Sequence, residues 1–180
     1  MEIRKELQIK LGILRISLGF IFLWAFFDKL LGLGFPTCRD LKTGFVNYFC
    51  KDAWLYGGSP TFGFLKFAVK GPFAEFFRSL GGNPLVDWLF MLGLLGVGLG
   101  LLLGIFMKLS TLFGSLMLAL MYLAGFLPPQ HNPLIDEHII YILVNILVMA
   151  VLCLSDSGSY LGLGKFWRQT KLVQRFKFLE

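Results

Sequence analysis

The chain has 180 residues, of which 56% are apolar and 16% charged; it carries 20 Phe and a formal net charge of +6. That is enough chain for one domain, but a soluble core of this size could not hide so much apolar surface, because buried interior grows slowly with length. A soluble globular protein is therefore excluded, and the cations sit where membrane topology alone would put them, which argues against nucleic acid.

In chain order, Arg4, Lys5 and Lys10 precede a first apolar run at 11–33, broken only by Arg15 and Ser17. It runs on through Trp24-Ala-Phe-Phe-Asp-Lys-Leu-Leu without a small-residue cleavage site, so it reads as a span rather than a signal peptide. Arg15 falls about one turn inside the inner surface; snorkelling toward the headgroups accounts for it, with an ion pair to Asp156 as the alternative.

The segment 34–83 reads as an outer loop. Cys38 and Cys50 lie in it, on the side where disulfides persist; a structural bridge is the expectation, with redox or sulfur chemistry and free thiols as alternatives. Gly57-Gly58-Ser59-Pro60 is a turn feeding a helix start, with Ser59 as cap and Pro60 at the first helical position. Two short helices follow, 61–70 and 72–80, broken at Gly71-Pro72. Phe62, Phe64, Phe67, Phe73, Phe76 and Phe77 make them aromatic and Lys66, Lys70 and Arg78 keep them amphipathic, which predicts a lid lying at the outer interface.

Three more apolar runs, 86–107, 109–127 and 133–154, are each close to the roughly 20 residues that cross about 30 Å of hydrocarbon. The first carries Gly96, Gly100 and Gly104, a small-residue ridge for packing inside the bundle or against a second copy of the chain. Asn83-Pro-Leu-Val-Asp87 and Asn132-Pro-Leu-Ile-Asp136 open the second and fourth runs alike: Asn caps, Pro takes the first position and Asp meets the positive helix end. Lys108 marks an inner turn. The turn at 128–137 has no Lys or Arg and holds Asp136 and Glu137. The tail 164–180, with Lys165, Arg168, Lys171, Arg175 and Lys177 among large apolar residues, suits a helix lying on an anionic inner leaflet. Both termini are thus expected to be cytoplasmic in a multi-pass protein of the cell membrane. The fold class predicted is all-α, a four-transmembrane-helix bundle forming one membrane domain over 1–180.

Polar groups inside an apolar span are costly and so point to function. His138, Tyr141 and Asn145 fall on one face of the fourth run, descending about 10 Å from its outer end. Glu137 lies beside the top of that stripe, Gln130 and His131 precede it, and the first run brings Trp24, Asp28 and Lys29 to the same depth. One reading is interhelical hydrogen-bonding glue. The other is a proton-handling site, His138 with Glu137 or Asp28, for a redox-active lipid such as quinone, bound among Trp24, Lys29, His131, Tyr141 and Asn145; imidazole titrates near neutrality, as quinone reduction requires. There is no Cys-x-x-Cys and no pair of His on facing helices, so neither a metal nor haem is expected, and Cys153 reads as a small apolar residue.

Taken together, Arg15-Ile-Ser-Leu-Gly-Phe-Ile-Phe-Leu-Trp-Ala-Phe-Phe-Asp-Lys-Leu, Gly57-Gly-Ser-Pro-Thr, Gly71-Pro-Phe, Asn132-Pro-Leu-Ile-Asp-Glu-His and Gly162-Leu-Gly-Lys-Phe-Trp resemble the DoxX/DoxD family. They look most like the DoxD type, the membrane subunit of thiosulfate:quinone oxidoreductase, and the likeness runs from the first span to Trp167. The resemblance implies a prokaryotic four-helix membrane subunit, oxidation of thiosulfate to tetrathionate with quinone as electron acceptor, and a DoxA-like small subunit supplied as a separate chain. Within the family, a non-catalytic scaffold anchoring a redox or stress-response partner is the alternative. Between Asp28 and Asn83 seven Lys and Arg face four Asp and Glu, a positive balance that would attract a dianion.

Overall fold

Helix α1 (Glu2–Leu31) begins well before the apolar run expected at 11–33, because the residues ahead of that run are good helix formers. It ends where Gly32 turns left-handed at φ +72°. The computed structural model describes residues 2–40, 42–125 and 137–180, the side chains of Glu2 and 137–140 excepted. Over these residues the architecture is all-helical, with no β-structure beyond an isolated bridge between Arg39 and Val46.

After α1 comes a looped segment with one 3₁₀ turn, Trp54–Tyr56, then a short π-helical piece, Phe64–Ala68, and helix α2 (Ala74–Leu80). Helix α3 (Pro84–Leu103) starts as its sequence dictates: Asn83 accepts from the Leu85 N–H at 2.9 Å and Pro84 occupies the first turn. Helices α4 (Met107–Gly125) and α5 (Glu137–Leu154) follow. Three helices, α1, α3 and α4, are long and apolar enough to cross a membrane; α5 is apolar over the shorter stretch Tyr141–Leu154. The expected starts of the last run, at 133–136, and the end of the third, at 126–127, lie outside the described residues.

Helix α1 packs on α3, α3 on α4 and α4 on α5. The larger core cluster joins Leu18, Phe22 and Phe26 of α1, Met91, Leu94, Val97 and Leu101 of α3, Met107 of α4, and Met149 and Leu152 of α5. Helices α1 and α3 approach each other closely. A Cβ on Gly19 would stand 2.7 Å from the Leu102 nitrogen, and one on Gly98 would stand 2.6 Å from Leu23 Cγ. The expected ridge of Gly96, Gly100 and Gly104 is divided by these contacts. Gly100 is covered by Ser110 and Gly104 by Gly158 and Arg15, while Gly96 faces open space. Close packing therefore runs through Gly19 and Gly98, and two of the three ridge glycines are engaged within the chain.

Helix α3 stops at Leu103 rather than continuing to 107, and the cause is Arg15. Its side chain is fully buried and its guanidinium donates to the carbonyls of Leu101, Leu102 and Leu161. The last carbonyls of a helix have no partner inside it, and a cation is favoured there. Gly104 lets the chain leave the helix at φ +72°, where a Cβ would meet Gly158 Cα at 2.6 Å and Arg15 Cζ at 3.0 Å. The expected snorkelling does not occur, nor does the pair with Asp156. That carboxylate instead accepts from Arg168 at 2.6 Å.

The two ends of the bundle are closed differently. At the end where α1 begins, Gln8 Oε1 accepts from the Asp156 N–H at 2.9 Å. There helices α6 (Ser157–Tyr160), α7 (Gly164–Arg168) and α8 (Lys171–Arg175) and a 3₁₀ turn, Lys177–Leu179, fold back onto the α3–α4 turn. The single tail helix expected over 164–180 is thus broken, because Thr170 caps α8 by accepting from Val173 and the Trp167 indole donates to the Leu179 carbonyl at 2.9 Å. At the other end, Leu65, Val69, Ala74 and Phe77 pack on Leu123 and Ala124 of α4 and Val86 of α3. The Lys70 N–H closes the α4 terminus by donating to the Ala124 carbonyl at 3.0 Å.

Two outcomes test these contacts by thermal unfolding of the detergent-solubilised chain. Gly98→Ala lowers stability by roughly 1–3 kcal/mol through overpacking, whereas Gly96→Ala, at an open helical position, leaves it unchanged or raised. Arg15→Ala lowers it by about 3 kcal/mol through loss of charged hydrogen bonds, and Arg15→Lys recovers only part of this because the ammonium lacks the planar fork.

Candidate functional site

The C-terminal half of α1 places Trp24, Asp28 and Lys29, and each is used differently. Asp28 is fully buried. One carboxylate oxygen accepts from the Phe35 N–H at 2.6 Å and the other from the Thr37 N–H at 3.1 Å. Both oxygens therefore hold the loop that leaves the helix, a natural use of a carboxylate beside orphan N–H donors. Lys29 is half-buried and reaches over the Phe90 ring of α3, 6.0 Å from its centroid. Trp24 stacks on Phe20 with ring centroids 6.0 Å apart and is 40% exposed, so it looks outward from α1.

The loop held by Asp28 is tightly built. Cys38 and Cys50 are joined in a disulfide. The Asn47 N–H donates to the Cys38 carbonyl at 3.0 Å and the Phe49 N–H to the Gly32 carbonyl at 3.0 Å. Gly32 must be glycine twice over, since its φ is positive and a Cβ would collide with Cys38 Sγ. At the exposed tip, the Asp40 carboxyl lies below the usual carboxylate range because it accepts the N–H groups of Thr43 and Lys42. An open depression of about 420 Å³ lies beside it, bounded by Phe35, Pro36, Arg39 and Gly44.

A second buried carboxylate anchors the rest of the segment between α1 and α3. Asp87 accepts from the hydroxyls of Ser59 at 2.9 Å and Thr61 at 2.5 Å, and from the Thr61 N–H at 3.3 Å. The sequence marks Asp87 only as a first-turn acid of α3; that it reaches a hydroxyl pair 26 to 28 residues earlier has no local signal. Ser59 meanwhile accepts from the Phe62 N–H at 3.1 Å, the capping bond its sequence suggests. Trp54 and Trp88 meet edge to face at 4.7 Å and tie the 3₁₀ turn to α3.

On α5, Tyr141 is 62% exposed and Asn145 donates its amide to the Tyr141 carbonyl at 2.7 Å. Glu137 and His138 open the helix; their side chains, and all of His131, lie outside the described residues. Among the described residues, no hydrogen bond, ion pair or ring contact joins Trp24, Asp28 or Lys29 to Tyr141 or Asn145. Of the residues expected to form one site, the described ones lie on two elements, Trp24, Asp28 and Lys29 on α1 and Tyr141 and Asn145 on α5. Three or more His, Cys, Asp or Glu in metal-binding proximity do not occur among the described residues.

Removal of the loop anchor has a direct readout. Asp28→Ala frees the Phe35 and Thr37 N–H groups and raises tryptic cleavage after Arg39 and Lys42 severalfold, scored on reducing gels; cleavage at the wild-type rate would exclude the anchoring role. No family model, curated protein or solved structure matches the chain.

Proposed function

We propose that the chain is a membrane subunit of the DoxX/DoxD type, passing electrons from thiosulfate to quinone. It crosses the bilayer four times with α5 as the fourth span, both termini face the cytoplasm, and the segment from Phe62 to Leu80 is an aromatic lid on the outer side. The basic residues Arg4, Lys5, Lys10 and Lys108 and the tail support that orientation. The exposed rings of Phe62, Phe67, Phe73 and Phe76 support the lid, since aromatic rings are favoured at the interface.

The observation that carries the quinone reading is Tyr141. It stands exposed on a helix whose neighbouring exposed side chains are Leu143, Val144 and Leu147, so a phenol donor is presented to the phase from which a lipid-soluble acceptor arrives. In the reaction, the outer sulfurs of two thiosulfate dianions join in tetrathionate and release two electrons; quinone takes these with two protons and becomes a quinol. His138 with Glu137 delivers the protons and Tyr141 and Asn145 orient the acceptor. Lys29 and the basic outer segment draw the dianion, and a DoxA-like small subunit completes the assembly.

A scaffold anchoring a redox or stress-response partner is the second reading, and a specific observation favours it. The buried charged groups among the described residues, Arg15, Asp28 and Asp87, are all engaged in holding helix ends and loops. The partner-facing surface would then be the open side of α3 at Leu92, Gly96 and Leu99, which also serves a second copy of the chain.

The two part company in proteoliposomes containing a short-chain quinone, with and without the small subunit. The oxidoreductase reading expects thiosulfate-dependent quinone reduction that falls about a hundredfold in His138→Ala, the scale of general acid–base catalysis. Absence of any thiosulfate-dependent signal in both preparations would sink it. The scaffold reading expects His138→Ala and Glu137→Gln to leave partner recruitment intact.

A further inference from the structure

We propose that the folded C-terminal segment is a binding surface for anionic phospholipid headgroups. Its height is set by contacts with the helix ends. The Leu163 N–H donates to the Leu103 carbonyl at the end of α3 at 2.7 Å, and the Lys108 N–H at the start of α4 donates to the Glu180 carbonyl at 3.2 Å. The Trp167 ring lies on Phe106 of the intervening turn, 4.3 Å between centroids. In any bilayer that α3 and α4 cross, this segment lies at headgroup level, and the proposal rests on that membrane reading.

Charge at this level is arranged asymmetrically. The two acidic side chains of residues 156–180, Asp156 and Glu180, are both taken: Arg168 binds Asp156 at 2.6 Å and Glu180 at 2.9 Å, and Lys108 lies 3.8 Å from Glu180. Lys165, Lys171, Arg175 and Lys177 are exposed and, among the described residues, have no carboxylate within ion-pairing distance. Interleaved with them, Leu163, Phe166, Leu172, Phe176 and Phe178 are 42–70% exposed. Rings and leucines left in water are unfavourable, but at the border of headgroups and acyl chains they are buried while adjacent cations meet phosphate. An acidic protein or a nucleic acid would satisfy the cations and leave no reason for the height or for the rings; a phosphate-bearing lipid accounts for all three.

The test uses the full-length chain in mild detergent with equimolar phosphatidylglycerol and phosphatidylcholine, bound lipids being counted by native mass spectrometry. Four near-surface cations favour the anionic lipid by at least about tenfold. The variant K165Q/K171Q/R175Q/K177Q lowers the ratio at least severalfold, each single variant gives an intermediate ratio, and K42Q/K51Q/K66Q/K70Q in the outer segment leaves it unchanged. Parity in the wild-type chain overturns the proposal and leaves the cations to an acidic macromolecule; so does a preference that follows the outer residues. Alkaline carbonate extraction distinguishes the underlying failure. Release of the wild-type chain from membranes overturns the membrane reading itself, whereas resistance with parity overturns the lipid assignment alone.

Discussion

A buried guanidinium with only backbone carbonyls around it governs one end of this molecule. Arg15 ties the last turn of α3 to the Leu161 carbonyl, and so joins α1, α3 and the start of the tail at one point. In an apolar surrounding a carbonyl without a donor is expensive, and the final carbonyls of a helix have none within the helix. Arginine answers this better than lysine because its planar fork reaches several acceptors at once. The geometry closes only because glycine stands wherever backbone must pass close by: Gly104, Gly158, Gly162 and Gly164 all lie within this cluster. Among the described residues the Arg15 Nε has no acceptor, a local cost set against the three carbonyl bonds.

The opposite end obeys the same rule with the charges reversed. Asp28 and Asp87 are buried acceptors surrounded by N–H and hydroxyl donors, and they fasten the disulfide-closed loop and the Ser59–Thr61 turn to the helices beneath them. Polar groups in the apolar frame thus hold its ends together. Asp28, whose two oxygens each accept a backbone N–H, is committed to the loop that leaves α1.

The tail has a comparable double nature. Its aromatic residue Trp167 points inward to Phe106, and its carboxylate partners are consumed by Arg168 and Lys108, so what remains outside is basic and apolar together. A surface of that composition, fixed at the ends of apolar helices, matches the boundary between headgroups and acyl chains more closely than it matches water.

Hydropathy and local capping add up along a chain, so the sequence by itself determined that there are long apolar helices, where α3 begins at Asn83-Pro84, and that short aromatic helices lie between 61 and 80. It could not determine the partner of any buried charge. Arg15 finds its acceptors 86, 87 and 146 residues away, and Asp87 finds its donors 26 and 28 residues back. The same applies to the glycines. Gly96, Gly100 and Gly104 are alike in spacing, yet one is open, one is covered by Ser110 and one is a left-handed terminus over Arg15. Only the tertiary structure decided these, because a polar group in an apolar environment is committed to whichever complementary group the packing brings within about 3 Å, and packing is not local.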